Sequence, residues 1–140
     1  MTVRVRRAFE FDAPPADIWE FIADPRNRAE AISVVEKYDV GPNTNEVTWH
    51  VSLPIPILNS TVAVKTNDVE RNPPRFVRFV GKSKVMRVSG EHTVEETETG
   101  SRLTNEFVVD GRVPGVERFF KRNLDRELKN LEAALRETLS

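Results

Sequence analysis

Residues 116–140 read VERFFKRNLDRELKNLEAALRETLS, and this stretch decides the fold. Val116, Phe120, Leu124, Leu128, Leu131, Leu135 and Leu139 recur every three or four residues, which puts them on one face of an α-helix. The GRVPG segment at 111–115 breaks the chain before it. About 24 residues at 1.5 Å rise make a rod of roughly 36 Å, long enough to cross a whole sheet. A helix with one apolar stripe must bury that stripe, so the rest of the chain has to supply the surface.

That surface lies upstream. Residues 33–110 read as strands separated by turns. In 46–53, Val47, Trp49, Val51 and Leu53 alternate with Thr48, His50 and Ser52, the period of a strand with one buried side. The expected strands are 34–40, 46–53, 61–70, 76–80, 85–96 and 102–109. Residues 2–11 form another, with Val3, Val5, Phe9 and Phe11 on one face and Arg7 breaking the pattern. Pro14-Pro15 then opens a short helix carrying Ile18, Trp19, Phe21 and Ile22. Asp24 as N-cap and Pro25 at the first position open a second, with Ala29, Ala31 and Ile32 as its apolar side. The order is strand, two short helices, six strands, one long helix.

Composition narrows the chemistry. The 140 residues, 16.0 kDa, fit one domain spanning 1–140. The absence of cysteine excludes disulfides, thiolate metal sites and a cysteine nucleophile. A zinc site would need both histidines, His50 and His92, so neither a metal nor a cofactor is expected. The 21 basic and 22 acidic residues nearly cancel, which argues against a nucleic-acid partner. There is no apolar run of membrane-spanning length and no signal-peptide core, so a cytoplasmic location is the expectation.

Four sequence pieces now resemble one superfamily. They are Phe9-Glu10-Phe11-Asp12-Ala13-Pro14-Pro15-Ala16-Asp17-Ile18-Trp19, Asp24-Pro25, Val69-Glu70-Arg71-Asn72-Pro73-Pro74-Arg75 and Gly100-Ser101-Arg102-Leu103-Thr104. In that order they resemble the START-like (SRPBCC) superfamily, which includes polyketide cyclase/dehydrase-like proteins and the G-type subunit of carbon monoxide dehydrogenase. The resemblance implies an α+β helix-grip fold, β-α-α-β6-α, in which a curved antiparallel sheet wraps around the C-terminal helix. It also implies a cavity between sheet and helix for lipids, isoprenoids, polyketides or other apolar molecules. One departure is Ala31-Ile32, where many cyclase relatives carry a tryptophan.

Polar residues on apolar faces are the candidate site. If the last hairpin turns through Thr99-Gly100, Glu98 opposes Ser101, His92 opposes Phe107, Val94 opposes Asn105 and Glu96 opposes Leu103. His92 and Asn105 are then diagonal neighbours on the inner face. Either they present a donor and an acceptor to a ligand, or they satisfy each other in a core. In a catalyst, His92 would be the general acid or base, with a pKa near its ordinary value of about 6.5. Arg7 points inward on a regular strand, and a bulge at Arg6-Arg7 would turn it to water. Asn123 either faces the cavity or flanks the helix stripe. His50 reads as an outer-face residue. The ligand-binding set is Arg7, Trp49, Val88, His92, Asn105, Phe107, Phe119, Phe120 and Asn123.

Residues 53–58, LPIPIL, form an unusually apolar loop. It either closes the cavity mouth, touches a membrane or protein partner, or folds over the core edge. Ile55, Ile57 and Leu58, with Val116 across from them, are the candidate gate. Residues 71–90 carry six basic side chains and no acid, while 91–100 carry four glutamates; cross-strand pairing on the outer face is the expected outcome. An anionic-membrane patch is the alternative at this near-zero net charge.

Three functions remain open. The first is binding or transport of an apolar small molecule, which a solidly filled interior with no pocket would remove. The second is a cyclase- or dehydratase-type enzyme using His92. The third is an assembly or interaction protein, as the likeness to the carbon monoxide dehydrogenase component implies.

Overall fold

The computed structural model describes residues 2–43, 45–55 and 61–140. The elements run β1 (Thr2–Phe11), α1 (Pro15–Ile22), α2 (Pro25–Ala31), β2 (Val35–Val40), β3 (Glu46–Val51), β4 (Val62–Asn72), β5 (Phe76–Lys82), β6 (Met86–Glu96), β7 (Ser101–Gly111) and α3 (Val116–Leu139). The strands form one antiparallel sheet in the order β1-β7-β6-β5-β4-β3-β2. The sheet curves around α3 as a helix-grip α+β fold.

Local chemistry sets the elements where the residue pattern puts them. The Asp24 side chain accepts from the Arg26 backbone N–H at 3.0 Å and caps α2, with Pro25 in its first turn. Along α3 the stripe Val116, Phe120, Leu124, Leu128, Leu131 and Leu135 is buried. It packs on the concave face, where Leu103, Phe107 and Val109 of β7 meet Met86, Val88 and Val94 of β6. Arg136 near the end of α3 lies over the Phe11 ring at 4.4 Å and donates to the Glu10 carbonyl, tying the helix to β1.

The β6–β7 register differs from the sequence expectation by two residues. His92 opposes Asn105, Val94 opposes Leu103 and Glu96 opposes Ser101. The turn is a four-residue loop, in which the Thr97 hydroxyl accepts from the Gly100 N–H at 3.1 Å. Gly100 is required there, because a Cβ would sit 2.1 Å from the Phe11 carbonyl oxygen. A slip of two leaves every side chain on its face, so face matching alone cannot detect it.

Candidate functional site

The concave face is filled by rings. Trp49 on β3 lies 5.5 Å from Phe79 on β5, and Phe79 lies 5.9 Å from Phe107 on β7. His92 on β6 joins them, stacked 6.1 Å from Phe79 and edge-on 5.8 Å from Phe107. Gly90 makes the cluster possible: a Cβ there would fall 2.2 Å from Phe79 and 2.8 Å from Phe107.

His92 and Asn105 are both fully buried, and His92 Nδ1 is 2.7 Å from Asn105 Oδ1. They are direct cross-strand partners rather than diagonal ones. The carbonyl oxygen only accepts, so Nδ1 carries the proton and Nε2 is a bare acceptor. Burial, reinforced by the charge of Arg28, pushes the His92 pKa down to about 3. The imidazole is therefore neutral near pH 7, and the ordinary value assumed for an acid–base role does not apply. Among the described residues, His92 Nε2, Asn105 Nδ2 and Trp49 Nε1 have no hydrogen-bond partner.

Between the sheet and α3 lies a pocket of about 20 Å³. Trp49, Val51, Met86, Val88, Phe107 and Val109 line it from the sheet, Phe120, Leu124 and Glu127 from α3, and Ile32 and Val34 from the segment after α2. That volume holds about one water. The Glu127 carboxylate accepts from the Ser33 N–H at 3.0 Å, the Ser33 hydroxyl at 2.9 Å and Asn130 Nδ2 at 2.8 Å.

Of the expected ligand-binding set, Trp49, Val88, Phe107 and Phe120 line this pocket. His92 and Asn105 sit beside it in the ring cluster. Arg7 does not enter the cavity, although β1 stays regular and no bulge turns it. At the sheet edge it is half exposed and pairs with Asp125 of α3 at 2.7 Å. Asn123 flanks the stripe, donating to the Phe119 carbonyl and accepting from Arg126. Phe119 is half-buried, edge-on to Phe120 at 5.1 Å. Of the gate set, Ile55 and Val116 are buried, while Ile57 and Leu58 lie outside the described residues. His50 faces outward and contacts Asp39 at 2.6 Å.

Sequence reasoning missed Arg28, Asp68 and Glu127. Arg28 is buried on the inner side of α2, with its guanidinium 4.9 Å from the Phe79 centroid. It donates to Asp68, which also accepts from Arg71 at 2.6 Å. Burial pulls the Arg28 pKa below the usual arginine value, and Asp68 opposes that shift. The available signal was Asp68 itself, an acid in phase with Val64 and Thr66 on the inner face of β4. A larger cleft of about 490 Å³ opens to solvent between α1, α2 and the β2–β3 hairpin. Its cations are already engaged, Arg26 by Asp24 and Arg71 by Asp68 and the Trp19 face.

This architecture, a sheet gripping a helix around an apolar interior, defines a START-like scaffold. The chain belongs to the polyketide cyclase/dehydrase and lipid transport family, whose model matches residues 2–136. No curated protein matches it in sequence. Among solved structures it is similar to the Zhui aromatase/cyclase of Streptomyces sp. R1128, at TM-score 0.74 and 16% identity over 98% of this chain and 93% of that one. It is also similar to a START superfamily protein of Mycobacterium smegmatis, at TM-score 0.75 and 11% identity over 98% and 99%. A conserved protein of Geobacillus kaustophilus gives TM-score 0.78 at 8% identity over 97% and 94%. At these identities the likeness is one of fold.

Proposed function

We propose that the protein binds or carries an apolar small molecule, of lipid, isoprenoid or polyketide type, between the concave sheet and α3. The observation that carries this reading is the pocket at that interface, walled by apolar side chains with Glu127 as its one charged residue among those described. Membership of a family named for polyketide cyclisation and lipid transport supports it. Small-molecule sites usually span several hundred Å³. The pocket is far smaller, so a ligand has to displace the Trp49, Phe107 and Phe120 side chains that now close it. The buried, neutral His92 weakens the enzyme reading, because a general acid or base must reach its substrate.

The test is solvent extraction and mass spectrometry of protein purified under native conditions, with thermal shift against a lipid and polyketide panel. A copurified apolar compound, or a shift that grows with ligand concentration, supports carriage. An empty extract together with no shift from any panel member removes it.

A further inference from the structure

The convex face carries an arrangement that the interior does not explain. Lys65 of β4 lies directly opposite Lys82 of β5, and Lys82 lies directly opposite Arg87 of β6. All three are exposed, and none is ion-paired among the described residues. Strands lie about 4.8 Å apart, so three cations stand in a row about 10 Å long. Like charges directly opposite each other destabilise a sheet. The expected neutralisation by the following glutamates fails because the β5–β6 register sets Lys82 against Arg87. Among the basic residues of 71–90, Arg78 alone meets a glutamate of 91–100 in an ion pair between described residues, with Glu91 at 3.6 Å. The row ends at Asp110 of β7, which is engaged by Arg112 at 3.4 Å.

This row marks one end of the molecule. β4 starts there, β5 ends, β6 starts and β7 ends. Exposed Lys84 in the β5–β6 turn and exposed Arg118 and Lys121 at the start of α3 belong to the same end, beside exposed Pro114. The opposite end holds exposed Asp12, Asp17, Glu95, Glu96 and Glu98, against Arg75 and the Asp68-paired Arg71. Glu36, Asp110 and Glu117 also lie at the basic end and Arg102 at the acidic one, yet each end keeps an excess of its own sign.

We propose that the basic end docks on an anionic phospholipid bilayer, with Lys65, Lys82 and Arg87 as its principal contacts. A negative surface potential attracts the basic end and repels the acidic one, so the polarity also fixes orientation. A bilayer fits better than a folded acidic partner. The row is shallow, mostly lysine point charges on an open sheet face, without the bidentate arginine geometry that selects one carboxylate. Docking rests on surface charge alone and does not require the interior to bind anything.

The experiment is co-sedimentation with vesicles of phosphatidylcholine, or of equal parts phosphatidylcholine and phosphatidylglycerol. Docking predicts binding to the mixed vesicles only, weakening as salt rises. At roughly fivefold per cation, replacing Lys65, Lys82 and Arg87 by glutamine weakens binding about a hundredfold. Replacing Arg75 and Lys129 by glutamine, two exposed cations away from the basic end, leaves it within about fivefold. Urea unfolding of the triple variant controls for folding, since removing like-charge repulsion should leave stability equal or higher. Equal binding to both vesicle types, or equal binding by the triple variant, would overturn the proposal. So would binding to polyglutamate with none to mixed vesicles, which would point to an acidic protein instead.

Discussion

Titrating His92 tests whether the centre of the interior is as dry as its packing implies. Its pKa is lowered from 6.5 to about 3, first by burial and then by Arg28. An unfolded chain takes up a proton at this residue near pH 6.5, while the native chain does not until about pH 3. Between those values the unfolded state binds more protons, so stability falls as pH falls; above the unfolded value this group contributes no slope. The slope is about 1.4 kcal/mol per pH unit. From about pH 7 to about pH 5 the loss from this residue is about 2 kcal/mol, a large share of the 5–15 kcal/mol of a typical domain. The assay is urea unfolding across that range for the wild type and for His92→Gln, which keeps a polar partner for Asn105 but cannot titrate. The difference in slope isolates His92, because every other titratable group is common to the two proteins. Identical slopes would refute a buried, neutral His92 and would restore it as an acid–base candidate.

Other expected outcomes follow from the same packing. Asp68→Asn leaves the Arg28 guanidinium buried without its counter-ion and should cost about 3–5 kcal/mol in urea unfolding. Gly90→Ala drives a methyl into Phe79 and Phe107 and should cost about 1–3 kcal/mol, with altered aromatic circular dichroism. Asn105→Leu alone orphans His92 Nδ1–H and should cost about 1–3 kcal/mol, whereas adding His92→Leu should recover much of it. A double-mutant cycle with no coupling would contradict that pairing.

The element order was legible in the residues because each signal is local. Period two marked the strands, the three-and-four spacing marked α3, and Asp24-Pro25 marked the start of α2. The inner positions of β6 and β7 were legible for the same reason. The hairpin register was not, since a two-residue slip preserves every face. Arg28 was hidden because its counter-ion lies 40 residues away, so no local pattern reveals that its charge is met. Arg7 looked like a cavity residue from its strand phase, but β1 is an edge strand and α3 supplies Asp125 beside it. The size of the interior was beyond reach: it depends on the rotamers of Trp49, Phe79 and Phe107 and on the room left at Gly90. Four lining residues were nonetheless found, because large apolar side chains at inner positions of a gripping sheet have nowhere else to point.

The two tryptophans allow the most direct test of the central reading. The Trp49 indole N–H is buried at the pocket without a described partner, whereas the Trp19 indole lies outside the pocket lining and donates to the Phe76 carbonyl at 3.3 Å. In a nitrogen–proton NMR titration with an apolar ligand, binding between sheet and α3 predicts that the Trp49 indole signal moves and the Trp19 signal stays. Movement of the Trp19 signal alone, or of neither signal across fatty acids, isoprenoids and aromatic polyketides, would contradict it.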